Sequence, residues 1–181
     1  MLKRLFVASL AVVTSGCFMH RAPKPSAPIP PVSGKTQTAF ALRYIDVAPG
    51  FGAAATPKKC FYVNYTGWLT NGTKFDSSRD PDENGKPRTP ISFPQGARRV
   101  IAGWDLGFEG MRVGGKRRLF IPYQLAYGEA GRAPVIPPKA ELIFDIELMA
   151  VADPAPAPES APRTPAAVPQ CPAWETLRSG T

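Results

Sequence analysis

Five aromatic residues, Tyr65, Phe75, Trp104, Tyr127 and Phe144, stand in five separate segments of this chain. Rings delivered from that many places are what a pocket built of strand ends and loops requires. Two of them carry phenolic hydroxyls, and the carboxylate of Asp76 follows Phe75 directly. Buried phenols and carboxylates need hydrogen-bond partners, so their convergence favours a cavity that faces a ligand. Taken singly, each ring reads first as ordinary core.

Other chemistries are poorly supplied. There is 1 histidine, His20, and there are 3 cysteines, with no CxxC or HxxxH spacing. Zinc sites, a Ser-His-Asp triad and a Cys-His pair therefore lack their residues, and no cofactor is expected. Gly110 to Lys116 satisfies GxxxxGK, but Arg117 stands where a Ser or Thr must meet magnesium, and the glycines join a short helix to a strand rather than the reverse. Asn64-Tyr-Thr66 and Asn71-Gly-Thr73 fit the glycosylation sequon, yet Asn64 lies in mid-strand and the export signal described below is bacterial in type.

The elements that must position the rings are short. Phe40, Leu42 and Tyr44 alternate with small or polar neighbours; Cys60 to Tyr65, Arg118 to Ile121 and Leu142 to Leu148 are rich in strand-forming residues. Asn71-Gly72 predicts a tight hairpin with positive φ at both centres, and Gly114-Gly115 a second reversal. Trp104, Phe108 and Met111 recur at helical spacing, which predicts one helix over Gly103 to Met111 with a face to lay on the sheet. The fold class is α+β, mainly antiparallel sheet with one short helix.

The 181 residues, 44% hydrophobic and 20% charged, suit one medium domain. Proline, at 22 residues, far exceeds the usual share of about 5% and is concentrated toward the two ends. Lys3 and Arg4, the apolar run Leu5 to Val13 and Thr14-Ser15-Gly16-Cys17 read as an export signal. As a helix that run spans about 14 Å, less than half of the roughly 30 Å hydrocarbon layer. Small residues before a cysteine resemble the bacterial lipobox, with Cys17 acylated and first in the mature chain. Four regions follow: signal peptide 1–16, proline-rich membrane tether 17–37, folded domain 38–152 and a disordered Pro/Ala tail 153–181.

The net charge is +8. Arg98-Arg99 and Lys116-Arg117-Arg118 read as solvated faces, and no nucleic-acid partner is expected of an exported chain. Cys60 reads as a small core residue; in an oxidising compartment a bond to Cys171 is the alternative. Trp174 and Leu177 offer the tail a weak docking point.

Six segments together carry a resemblance: Val63-Asn-Tyr-Thr-Gly67, Lys74-Phe-Asp-Ser-Ser-Arg-Asp80, Val100-Ile101 followed by Gly103-Trp104, Tyr127-Gly128, Val135-Ile-Pro-Pro138 and Leu142-Ile-Phe-Asp-Ile-Glu-Leu148. In order and spacing they resemble the FKBP family of peptidyl-prolyl isomerases. The resemblance implies a half-barrel of five to six antiparallel strands around one short helix, to which the proline-rich composition adds disordered extensions at both ends. It makes Trp104 the floor of a proline pocket and Tyr65, Phe75, Val100, Ile101 and Phe144 its walls, with Val135 and Ile136 as further substrate contacts. Tyr127 and the Ile101 N–H become donors to substrate, and Asp76 a catalytic carboxylate held by Tyr65. Four departures sit on the rim: Ile91 in place of an aromatic, Arg99 in place of an acid, Arg132 in place of a histidine, and a loop lengthened over Pro81 to Arg88.

The function so implied is rotation about X-Pro bonds in exported proteins by a monomer lipid-anchored in the cell envelope, facing the periplasm from the outer membrane in a Gram-negative cell. Partners are proline-containing polypeptides, macrolide ligands and, through Cys17, the membrane. The competing readings are a tethered module that binds proline segments without turnover and a structural envelope lipoprotein.

Overall fold

The computed structural model describes residues 29–39, 41–155 and 169–179. The export signal, Cys17 and Phe40 lie outside them. Seven antiparallel strands form one sheet: β1 (Gln37–Ala39), β2 (Leu42–Ala48), β3 (Cys60–Leu69), β4 (Lys74–Ser77), β5 (Ile91–Pro94), β6 (Lys116–Ile121) and β7 (Leu142–Ala152). The order is β1-β2-β6-β7-β3-β4, and β5 also pairs with β3. Because β5 takes Cys60 to Val63 and β4 takes Thr66 to Trp68, the two share one edge of β3. The sheet is thus six strands wide, as the resemblance implies.

Period-two patterning explains the longest pairing. Leu142, Phe144, Ile146 and Leu148 of β7 are buried and alternate with half-buried Ile143, Asp145 and Glu147. β7 runs beside β3 from Leu142↔Leu69 to Ala152↔Cys60. The short helix α1 (Ala102–Gly107) lies on the inner face. Gly103 and Gly107, one turn apart, allow this close approach: a Cβ on Gly103 would stand 2.3 Å from Ile121 Cγ2, and one on Gly107 2.6 Å from Leu119 Cδ1. The helix ends sooner than its apolar spacing predicts, since the chain turns through Gly110 at φ 73°. Trp104, Phe108 and Met111 are nonetheless all buried.

The hairpin between β3 and β4 departs from the sequence expectation at one residue. Only Gly72 has positive φ, 85°. Asn71 instead accepts the Thr73 N–H through Oδ1 at 3.0 Å, a side-chain substitute for a second left-handed residue.

Arg117 and Arg118 correct the reading of a solvated face, for both are buried. Neighbours on a strand point to opposite faces. On the inner side Arg117 donates through Nε to Asp46 at 2.6 Å and through Nη1 to the Gly107 and Glu109 carbonyls, both at 2.9 Å, closing the C-terminal end of α1. On the outer side Arg118 forks onto Asp145 at 2.5 and 2.6 Å and reaches the Pro30 carbonyl at 2.7 Å.

The tail returns to the same outer face. Cys60 and Cys171 are joined by a disulfide with Cα atoms 5.6 Å apart, which selects the alternative over a free core thiol. Tyr62 Oη donates to the Pro172 carbonyl at 2.5 Å, and its ring lies 5.7 Å from that of Trp174, the first residue of helix α2 (Trp174–Arg178).

Candidate active site

Five elements meet at the inner face beside α1. β3 supplies Tyr65, and two residues on Gly67 leaves open the space where a Cβ would stand 2.7 Å from Phe75 and 2.8 Å from Phe144. Those two rings therefore close over β3 edge to face, 5.4 Å apart. A side chain at position 67 would displace both.

Trp104 projects from the first turn of α1, where its N–H bonds the Ile101 carbonyl at 2.9 Å. The indole is 4% exposed. Tyr65 and Phe144 meet it edge-on at 5.1 and 5.3 Å, and Phe93 and Phe108 back it at 5.7 and 5.9 Å. Its Nε1–H has no partner among the described residues. Ile101 holds an extended conformation, φ −62° and ψ 148°, ahead of the helix. Its N–H lies before the first intrahelical bond, which leaves it open to an outside acceptor.

Tyr127 comes from the loop after β6, where a short 3₁₀ turn (Tyr123–Leu125) and a Gly128 N–H bond to the Tyr123 carbonyl at 2.8 Å set its position. Asp76 accepts from the Tyr65 hydroxyl at 2.5 Å and from the Ser77 N–H at 2.9 Å. Burial, and then the adjacent Asp76 carboxylate, raise the Tyr65 phenol well above the ordinary tyrosine range, while Arg88 acts in the opposite sense. Tyr65 is therefore a neutral donor that fixes Asp76.

An open cavity of about 250 Å³ is lined by Tyr65, Phe75, Asp76, Val100, Ile101, Trp104, Tyr127 and Phe144. All eight are residues that the sequence reading singles out, and the structure brings them to one cavity. Val135 and Ile136 fall elsewhere. They line an adjoining depression of about 330 Å³ that shares Phe75, Asp76, Tyr127 and Arg132 with the first. Val135 is 49% exposed there, whereas Ile136 is buried in the core.

Ile91, Arg99 and Arg132, read from sequence as rim positions, line the cavity itself. Phe93 supports Trp104 from beneath without being singled out in the sequence, although its alternation with Ile91 on β5 is a signal that could have found it. The arrangement can hold a small apolar ring over an indole, bind a polypeptide backbone through two donors, and present one fixed carboxylate. It fits rotation about a bond better than bond cleavage.

Comparison with known proteins agrees. The family model for FKBP-type peptidyl-prolyl cis-trans isomerases matches residues 52–149. An FK506-binding protein of Neisseria meningitidis serogroup A is 51% identical over 106 residues, covering 59% of this chain and 92% of that one. The peptidyl-prolyl cis-trans isomerase FPR2 of Saccharomyces cerevisiae is 51% identical over 98 residues, 54% of this chain and 68% of the relative. A peptidyl-prolyl cis-trans isomerase of Pseudomonas syringae pv. tomato superposes with a TM-score of 0.56 at 32% identity, over 65% of this chain and 81% of that structure. With the pocket, its donors and these relatives in accord, the chain belongs to the FKBP-type peptidyl-prolyl cis-trans isomerase family.

Proposed function

We propose that the aromatic cavity receives the prolyl ring of X-Pro segments in exported polypeptides and speeds their folding, from a position on a membrane held by acylated Cys17. The observation that carries the catalytic part is the burial of Trp104 between the Tyr65 and Phe144 rings, since an apolar floor is what the reaction needs.

Amide resonance gives the X-Pro bond a rotational barrier of about 18–20 kcal/mol, and uncatalysed exchange takes tens to hundreds of seconds. The planar amide is the more polar state, and twisting reduces its charge separation. Moving it from water onto Trp104, Tyr65 and Phe144 therefore disfavours the planar ground state more than the twisted one. The Ile101 N–H and the Tyr127 hydroxyl hold the chain on either side of the rotating bond. Asp76, fixed by Tyr65 and Ser77, adds an electrostatic effect near the carbonyl carbon. Each tenfold gain requires about 1.4 kcal/mol of preferential stabilisation. The same cavity accommodates macrolides of the kind named for the Neisseria relative, FK506 among them.

Refolding of a proline-limited protein separates turnover from binding. Acceleration by the full chain at substoichiometric concentration is expected; an effect that requires one chain per refolding molecule would replace catalysis with holding.

Support for export comes from the Cys60–Cys171 disulfide, which persists in oxidising compartments, together with the signal-like start of the chain. Acyl chains contribute about 0.8 kcal/mol per buried methylene, so more than one on Cys17 holds the protein on a bilayer. Labelled fatty acid should enter the wild type and not Cys17→Ser. Equal labelling of both would remove the anchor from this account.

A further inference from the structure

The cavity that receives the prolyl ring opens through a cationic mouth. Arg99 and Arg132, from separate segments, line it, and Asp76 is the one carboxylate beside them. The lengthened loop between β4 and β5 brings a third cation, Arg88, within electrostatic reach of Tyr65. All three arginines are exposed, and none forms an ion pair with a carboxylate among the described residues. Nearby acids are engaged elsewhere. Asp80 pairs with Lys74, Glu129 with Lys139, and Asp82 accepts the Asn84 and Lys86 N–H groups of its own turn. Asp76 is committed to Tyr65 and Ser77.

Position gives these charges a use. Arg99 immediately precedes Val100 and Ile101, so a chain bound to the Ile101 N–H passes beside it. Arg132 stands at the other donor, with Nη1 3.5 Å from the Tyr127 hydroxyl and its guanidinium 5.7 Å from the ring centre. Arg132 also lines the adjoining depression, which shares Phe75, Asp76 and Tyr127 with the cavity. Both donors to the substrate backbone thus have an unpaired guanidinium next to them.

We propose that this isomerase selects X-Pro segments carrying an acidic side chain next to the proline, through Arg99 and Arg132 with support from Arg88. The inference rests on the isomerase reading and adds its substrate class. Exposed guanidiniums attract such a side chain without the desolvation cost of burying it, and the gain is that of surface ion pairs, about three- to fivefold in kcat/KM per arginine. It enters through KM, because the charge is bound alike in the planar and twisted states.

The test uses the full chain and tetrapeptides Ala-X-Pro-Phe with X as Glu, Gln or Lys, and a second set with the varied residue after proline, followed by exchange NMR. At about 20 mM salt the expected order in at least one set is Glu, then Gln, then Lys, with Glu ahead of Lys by about tenfold or more. At about 1 M salt, where the screening length falls to about 3 Å, the spread should shrink below about twofold. Arg99→Glu with Arg132→Glu should reverse the order of Glu and Lys, while Arg43→Gln, remote from the cavity, should preserve it. One common rate across both sets overturns the inference and leaves isomerisation intact; so does an order that ignores salt or survives the double reversal. Should no peptide be turned over, the isomerase reading fails, and calorimetric affinities of the same peptides decide the selection, equal values overturning it.

Discussion

The middle of the sheet and the mouth of the cavity use arginine in opposite ways. Arg117 and Arg118, at the middle of the sheet, have side chains only 6% exposed, and each meets a carboxylate and at least one backbone carbonyl. Arg99 and Arg132, at the cavity mouth, are exposed and meet no carboxylate among the described residues. A buried guanidinium must be satisfied by the fold itself, because an unpaired charge out of water is costly. An exposed one need not be, which leaves its charge available to a ligand. Which of the two a given arginine does is decided by burial and partner, not by residue type.

The widest test of that contrast is stability. Arg117→Ala strips the Gly107 and Glu109 carbonyls at the end of α1 of their donor, and should cost about 2–3 kcal/mol in denaturant unfolding. Arg99→Ala should stay within about 0.5 kcal/mol of wild type. Equal losses would erase the distinction. Arg118→Met should cost about 2 kcal/mol by leaving Asp145 without its fork, less than a fully buried pair would, because the Asp145 side chain is 36% exposed. Adding Asp145→Leu should recover most of that loss, since an apolar pair of similar volume replaces a desolvated ionic one. A double variant no more stable than Arg118→Met alone would argue that the pair is worth more than its desolvation.

Sequence carried the inner face further than the outer one. Alternation over Leu142 to Leu148 and the spacing of Trp104, Phe108 and Met111 are local periodic signals, and both faces they predict are buried. The eight cavity residues were legible because each sits in a motif with its own spacing. No local signal tells that Arg117 will find Asp46, 71 positions away, or that Arg118 will find Asp145. A run of three cations looks solvated until strand alternation sends its members to different faces. The disulfide spans 111 positions, and Trp174 on Tyr62 depends on it, so the docked tail was open in the sequence. Val135 and Ile136 also come from a motif, and they line the adjoining depression rather than the aromatic cavity.

Within the cavity the same contrast separates a fixed anion from a free phenol. Asp76 is held by two donors, whereas among the described residues the Tyr127 hydroxyl has only the long contact from Arg132. Asp76→Ala should lower kcat/KM on a neutral X-Pro peptide about tenfold, equivalent to 1.4 kcal/mol, through kcat. Tyr127→Phe should lower it about threefold, since one neutral hydrogen bond to substrate contributes on the order of 1 kcal/mol or less. Wild-type rates from both variants would remove these residues from the reaction, and a larger loss at Tyr127 would invert their ranking.

The smallest expected effect lies at Tyr65, where the charges of the mouth act against one another. Burial and Asp76 raise its phenol above the ordinary value of 10.0, and Arg88 lowers it. Above pH 10 the unfolded chain gives up this proton while the folded chain keeps it, so the unfolded state binds fewer protons. Stability from this group is complete below pH 10 and falls as pH rises beyond it. At about half a unit above 10 the loss is below about 1 kcal/mol. Tyr62, raised by burial, contributes in the same direction. Tyr65→Phe should therefore remove part of the alkaline decline, not all of it, in unfolding curves compared between pH 9 and pH 10.5 on this reasoning. An unchanged decline would mean that the phenol is not held in its neutral form by the cavity, and that Asp76 is steadied by Ser77 alone.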